Sequence, residues 1–153
     1  MDIDNIIEDL NKKENISHIA VSDLESAALT ELEKTFIDTY KPEKVLISYG
    51  TLAPNRSNHS VVEHIKGIWL EGIIKGQLEN LGWGAELGYL GFRHAPTGEQ
   101  EEIKAFILIS DELIVNWQML DEFEGKEYRR ILSKYELLNG EIGVGYIYAV
   151  NQK

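Results

Sequence analysis

The sequence predicts an α+β domain, in which a helical extension precedes a compact and strongly curved β-rich unit. Three observations carry this. Apolar residues repeat at helical spacing through the first forty positions. From Lys44 onward, short runs of strand formers replace that pattern. Glycines at Gly72 and Gly76 then interrupt one long apolar run at places where a sheet has to bend.

Ile3, Ile6, Ile7 and Leu10 fall at i, i+3, i+4 and i+7, which places them on one face of a first helix. Ser22 with Glu25 forms a capping-box pattern for a second, in which Leu24, Ala28, Leu32 and Phe36 recur until about Thr39 and Pro42 stops the helix. The change of character puts a boundary at residues 40–43. Residues 1–43 are the helical extension and 44–153 the main domain.

Val45 to Ser48 reads as the first core strand and ends abruptly at Tyr49-Gly50. After an Asn- and Ser-rich segment, Val61 to Ile65 suits a short helix, and Gly67 to Leu78 a strand with Gly72 and Gly76 as bends or bulges. The stretch from Gly82 to Phe92 alternates glycine with large apolar groups; Ala95-Pro96-Thr97-Gly98 is a turn and Ile103 to Ile109 a strand. Asp111 then caps a helix carrying Leu113, Trp117 and Leu120, with Gly125 at its C-terminal end and Glu124 in its last turn. Finally, Tyr128–Leu138 and Glu141–Val150 form a hairpin joined at Asn139-Gly140, residues that tolerate the positive φ of tight turns.

Composition narrows the function classes. The 153 residues are 43% hydrophobic and 27% charged, as expected of one globular domain. Fifteen Lys plus Arg against twenty-six Asp plus Glu give a net charge of -11, which repels phosphate backbones and anionic lipids. Neither nucleic acid nor a membrane surface is an expected partner. No apolar run reaches the roughly 20 residues needed to span a bilayer, and the N-terminus carries acids where a signal peptide carries basic residues. With no cysteine in the chain, disulfides and thiolate chemistry are absent and the expected location is cytoplasmic.

Two segments can carry chemistry. Tyr49-Gly50-Thr51-Leu52 follows a buried strand, where successive backbone N–H groups can face one concavity suited to a carboxylate. Taken alone, a strand ending in glycine is more often a simple turn. Leu120-Asp121-Glu122-Phe123-Glu124-Gly125 offers three carboxylates. Asp121 and Glu122 are explained as the solvated face of a helix whose Leu120 and Phe123 point inward. Glu124 faces the negative end of the helix dipole, which disfavours its charged form and should raise its pKa toward the range a proton shuttle needs.

Together these segments resemble the γ-glutamylcyclotransferase-like family, whose members carry Tyr-Gly-Thr-Leu or Tyr-Gly-Ser after the first strand and Leu-Asp-x-x-Glu-Gly after a later helix. The similarity continues through Tyr128, Arg129 and Arg130 into Gly145-Tyr146-Ile147-Tyr148, and is nearest a bacterial branch reading Tyr-Gly-Thr-Leu-Ala-Pro. It implies a small mixed β-barrel with flanking helices. It also implies cyclisation of a γ-glutamyl amine or γ-glutamyl amino acid to 5-oxoproline with release of the amine. Glu124 would be the catalytic general acid/base, with Tyr49, Gly50, Thr51 and Leu52 binding the substrate. No metal or organic cofactor is implied. Leu52 stands where the glutathione-related members carry Asn, so their substrates do not transfer to this chain.

Residues 1–40 match nothing in that family; as an amphipathic helical pair they can pack on the barrel, form a homodimer or bind a partner. A non-catalytic small-ligand-binding or protein-interaction module on the same fold is the alternative reading. His59 and His64 lie five apart, His18 and His94 are distant, and no HExxH spacing is present, so a metal site is not expected. Gly82-x-Gly84 lacks the third glycine of a dinucleotide fingerprint, and no serine sits in a G-x-S-x-G elbow. Trp69, Trp83 and Trp117 read as core or cavity-wall residues, while Tyr128 and Tyr148 suit either cavity hydroxyls or amphipathic strand positions.

Overall fold

A computed structural model describes residues 2–12, 29–50, 52–56, 58–79, 91–93 and 99–150. The helices are α1 (Ile3–Lys12), α2 (Glu31–Tyr40) and α3 (Trp117–Glu124). The strands are β1 (Val45–Ser48), β2 (Ile68–Glu79), β3 (Gly91–Arg93), β4 (Glu101–Ile109), β5 (Tyr128–Leu137) and β6 (Ile142–Val150).

Five strands close into a barrel. β1 pairs antiparallel with β4 and parallel with β6, β4 with β2, β2 with β5, and β5 with β6. The parallel β1–β6 contact, Leu46↔Tyr146 and Ile47↔Ile147, makes the barrel mixed. β3 lies across the seam, antiparallel to β2 and joined to β6 through Phe92↔Ala149.

The apolar run of β1 is continuous because both of its faces are buried. Alternation sends Val45 and Ile47 into one cluster with Ile107, Ile131 and Ile147, enclosed by the barrel. Leu46 points the other way, into a second cluster with Leu108, Leu120, Tyr146 and the helices. Ile6, Ile7 and Leu10 of α1 and Phe36 of α2 belong to that same outer cluster. The described helices of the N-terminal extension therefore share a core with the barrel. Asn11 strengthens the contact: its side chain donates to the Leu132 carbonyl at 2.9 Å and accepts from the Leu132 N–H at 2.8 Å. Among the described residues no helix is long and apolar enough to cross a membrane.

Several elements differ from the sequence expectation. α2 begins only at Glu31, because Thr30 adopts an extended conformation and forms the capping box with Glu33. A continuous helix from Leu24 to Thr39 is thereby excluded; the Ser22–Glu25 pattern lies outside the described residues. The helix expected from Asp111 is two pieces, a 3₁₀ turn over Asp111–Val115 and then α3, with Asn116 between them. Its cap is Ser110, whose hydroxyl accepts from the Glu112 N–H at 3.1 Å, and not Asp111. Val61 to Ile65 holds no regular helix beyond a 3₁₀ turn at His59–Val61.

Gly72 and Gly76 are not bulges against β4, since the β2–β4 register runs unbroken from Ile68↔Ile109 to Gly76↔Glu101. Gly72 is instead a point of close approach. A Cβ there would stand 2.5 Å from the carbonyl oxygen of Glu136, where β5 comes alongside to close the barrel. In the β5–β6 turn only Gly140 uses a positive φ, of 90°; Asn139 instead accepts the Glu141 N–H with its side chain.

Candidate active site

α3 is held by its apolar side and ends where the chain must reverse into β5. Trp117 and Leu120 are buried, and the Trp117 indole N–H donates to the Glu43 carbonyl at 2.8 Å. Gly125 takes φ 79°, its N–H reaching the Asp121 carbonyl, and its own carbonyl accepts from the Tyr128 N–H at 3.2 Å. This turn sets Glu124 between the helix end and the start of β5.

Glu124 is half-buried, and loss of hydration pushes its pKa up to about 7, with the negative charge of Asp121 adding to the rise. The direction agrees with the sequence expectation. The cause is chiefly burial, which no feature of the helix end by itself reveals.

Asp121 is not part of a solvated face. Its Oδ1 accepts from Arg130 Nε at 2.9 Å and from the Tyr148 hydroxyl at 2.7 Å, while Oδ2 accepts from Arg130 Nη2 at 3.2 Å. Arg130 is 3% exposed, with its guanidinium 4.7 Å from the ring centroids of both Trp117 and Tyr146. A fork-shaped cation of this kind is suited to simultaneous carboxylate pairing and aromatic stacking. Glu122, by contrast, is exposed, and accepts a hydrogen bond from Gln118 Nε2 at 3.4 Å.

The second segment converges on the first. Tyr49 donates its hydroxyl to the Tyr148 carbonyl at 2.8 Å and accepts from the Phe92 N–H at 2.8 Å, tying the end of β1 to β6 and β3. Burial raises the pKa of Tyr49, and the charge of Glu124 contributes to that rise. Tyr148, held above its ordinary value by burial and by Asp121, also feels Glu124. Both phenols therefore stay protonated across the neutral range.

Beyond Tyr49, no described atom stands within 4 Å of a Cβ placed on Gly50, whose φ is not positive. Thr51 lies outside the described residues, as do Trp83, Gly82, Gly84, His18 and His94. Leu52 is 4% exposed in the outer core, and its carbonyl meets His59 Nδ1 at 2.9 Å. His59 packs on Trp69, and His64 contacts Asn116.

The Asp121–Arg130–Tyr148 network was not singled out from sequence. Two signals point to it. Asp121 lies three residues before Glu124 on the same helix face, and Arg130 occupies a strand position between the buried Tyr128 and Leu132. A cation at such a position needs a carboxylate partner.

No family model and no curated protein matches the chain. Solved structures do. The fold is that of the AIG2-like proteins. A crystal structure of an AIG2-like protein (GGACT) from Mus musculus is 21% identical with a TM-score of 0.54, covering 72% of this chain and 78% of that one. The solution structure of A2LD1 is also 21% identical, TM-score 0.52, over 72% and 80% of the two chains. YkqA from Bacillus subtilis is 26% identical, TM-score 0.53, over 71% of this chain but 36% of YkqA, so the match spans about a third of that protein's length. These similarities support the family resemblance at the level of fold.

Proposed function

We propose that this protein is a γ-glutamylcyclotransferase-like enzyme, which cyclises a γ-glutamyl amine or γ-glutamyl amino acid to 5-oxoproline and releases the amine. The observation that carries the reading is Glu124: a half-buried carboxyl with a pKa of about 7, close enough to the end of β1 for its charge to act on Tyr49. A carboxyl balanced near neutrality can both accept and return a proton.

In the proposed reaction, the Glu124 carboxylate takes a proton from the substrate's α-ammonium. The α-nitrogen then attacks the γ-carbonyl carbon, forming the new C–N bond of the five-membered lactam. As the bond to the departing nitrogen breaks, Glu124 returns its proton to that nitrogen, and the second proton, shed as the α-nitrogen becomes the lactam N–H, passes to the same amine, which leaves as an ammonium ion. No water is consumed and no cofactor is needed. Nucleophile and carbonyl belong to one molecule, so the protein's main task is to fold the substrate into attacking geometry. The backbone of Gly50, Thr51 and Leu52 would hold the substrate's α-carboxylate or nearby oxygens; that no described atom crowds Gly50 supports the placement.

The test is incubation of the purified protein with a panel of γ-glutamyl amines and dipeptides, with 5-oxoproline read by mass spectrometry and Glu124→Gln as the matched control. Product from the wild type that disappears in the variant is expected. An inactive wild type across the whole panel would sink the reading.

A further inference from the structure

We propose that Asp121 is the positioning residue of this site, locking the last turn of α3 to β5 and β6 so that Glu124 and the end of β1 are held in one geometry. The proposal rests on Glu124 being the proton-transferring group, but its geometry stands on its own.

Asp121 and Glu124 are three apart on α3, a spacing that makes their side chains neighbours. Asp121 anchors to Arg130 on β5 by two hydrogen bonds and to the Tyr148 hydroxyl on β6 by a third. Tyr148 extends the chain of contacts, because its backbone carbonyl receives the Tyr49 hydroxyl, which in turn accepts from the Phe92 N–H. One connected path thus runs from the helix bearing Glu124 to the residue preceding Gly50. Arg130 cannot easily shift, being stacked on Trp117 and Tyr146, and Trp117 lies on α3 itself. Hydrogen bonds and stacking that lock the supporting side chains in this way hold a reacting group within a fraction of an ångström.

Asp121 also sets the electrostatics of its neighbour. The charge of Asp121, on the same helix, adds to the raised pKa of Glu124, and the charge of Glu124 in turn acts on Tyr49 from β1 and Tyr148 from β6. Both phenols that feel Glu124 are neutral near pH 7, and Arg130 is paired to Asp121. Replacing Asp121 by Asn removes a negative charge beside Glu124 and the carboxylate paired with Arg130, and both changes favour ionised Glu124.

The experiment is a pH titration of wild type and Asp121→Asn, following the Glu124 carboxyl carbon by NMR and, in parallel, the acid limb of the pH–rate profile. The Glu124 midpoint is expected to move down by about one pH unit in the variant, with the acid limb following it. A midpoint that does not move overturns the proposal even if turnover falls, since a merely structural loss lowers folded fraction without shifting a titration. The NMR readout needs no turnover, so an inactive wild type would remove the reaction assignment while leaving this coupling measurable. Should Asp121→Asn fail to fold, Tyr148→Phe takes its place: kcat is expected to fall about tenfold with KM within about twofold, and an unchanged kcat overturns the proposal.

Discussion

Asp121 and Glu124 are carboxylates one helical turn apart, yet their surroundings do opposite things. Asp121 receives a guanidinium and a phenol, which supply three hydrogen bonds in place of lost water. Glu124 receives desolvation and the charge of Asp121, and its pKa climbs to about 7. Glu122 lies between them in sequence and faces solvent. The state of each carboxyl on this helix is set by what it meets across the interface and not by residue type: pairing makes a structural anchor, partial burial beside a like charge raises the pKa toward neutrality, and exposure does neither.

The largest effect that would break this contrast is on turnover. Glu124→Gln is expected to lower 5-oxoproline formation at least about a hundredfold, read by mass spectrometry at pH 7.5, because the amide can neither take nor return a proton. A variant retaining wild-type rate would place the proton carrier elsewhere.

Arg130→Ala tests the other side. Removing the cation leaves Asp121 without its main partner and vacates space against Trp117 and Tyr146; unfolding in urea should show a loss of about 3 kcal/mol. A loss below about 1 kcal/mol would mean that the pair is a surface interaction.

The third effect is smaller and opposite in sign to the usual destabilising mutation. Glu124 has a folded pKa raised above its unfolded value, so its contribution to stability is complete below about pH 4.5 and is lost as pH rises through about 7. Glu124→Gln should therefore be more stable than wild type at pH 8, by about 2 kcal/mol after allowance for residual exposure, with no such advantage at pH 4. Thermal melts at the two pH values would show it, and equal melting differences at both would remove burial as the cause of the shift.

The smallest expectation serves as control. Glu122→Gln should leave stability within about 0.5 kcal/mol and turnover within about twofold, since its side chain is exposed. A loss comparable to that of Glu124→Gln would mean that the third carboxylate also belongs to the site.

Much of the local structure was legible in the residues. The four apolar positions of α1, the continuous apolar run of β1, the hairpin at Asn139-Gly140 and the glycine that ends α3 each express a rule acting within a few residues, and each is found in its place. Where two local signals competed, reading them was harder. Ser110 and Asp111 both suit a cap for the same turn, and it is the Ser110 hydroxyl that accepts the backbone N–H; Thr30 with Glu33 caps α2, while Ser22–Glu25 lies outside the described residues.

The candidate site divides along the same line. Tyr49, Gly50 and Glu124 were legible as candidates through the two motifs that carry the family resemblance. Asp121, Arg130 and Tyr148 were not, because a hydrogen bond across 9 or 27 residues depends on which strands become neighbours.

Local rules were enough for α1, the strand at β1, the β5–β6 hairpin and the position of Glu124 in a last helical turn, because these follow from periodicity, capping and steric preferences that span a few residues. Tertiary structure alone decided that β1 meets both β4 and β6 to close the barrel. It decided too that burial raises the pKa of Glu124, and that Asp121 is an anchor where local reading makes it a solvated acid. The physical reason is that desolvation and charge pairing depend on distances between segments remote in the chain, and those distances exist only once the barrel has closed.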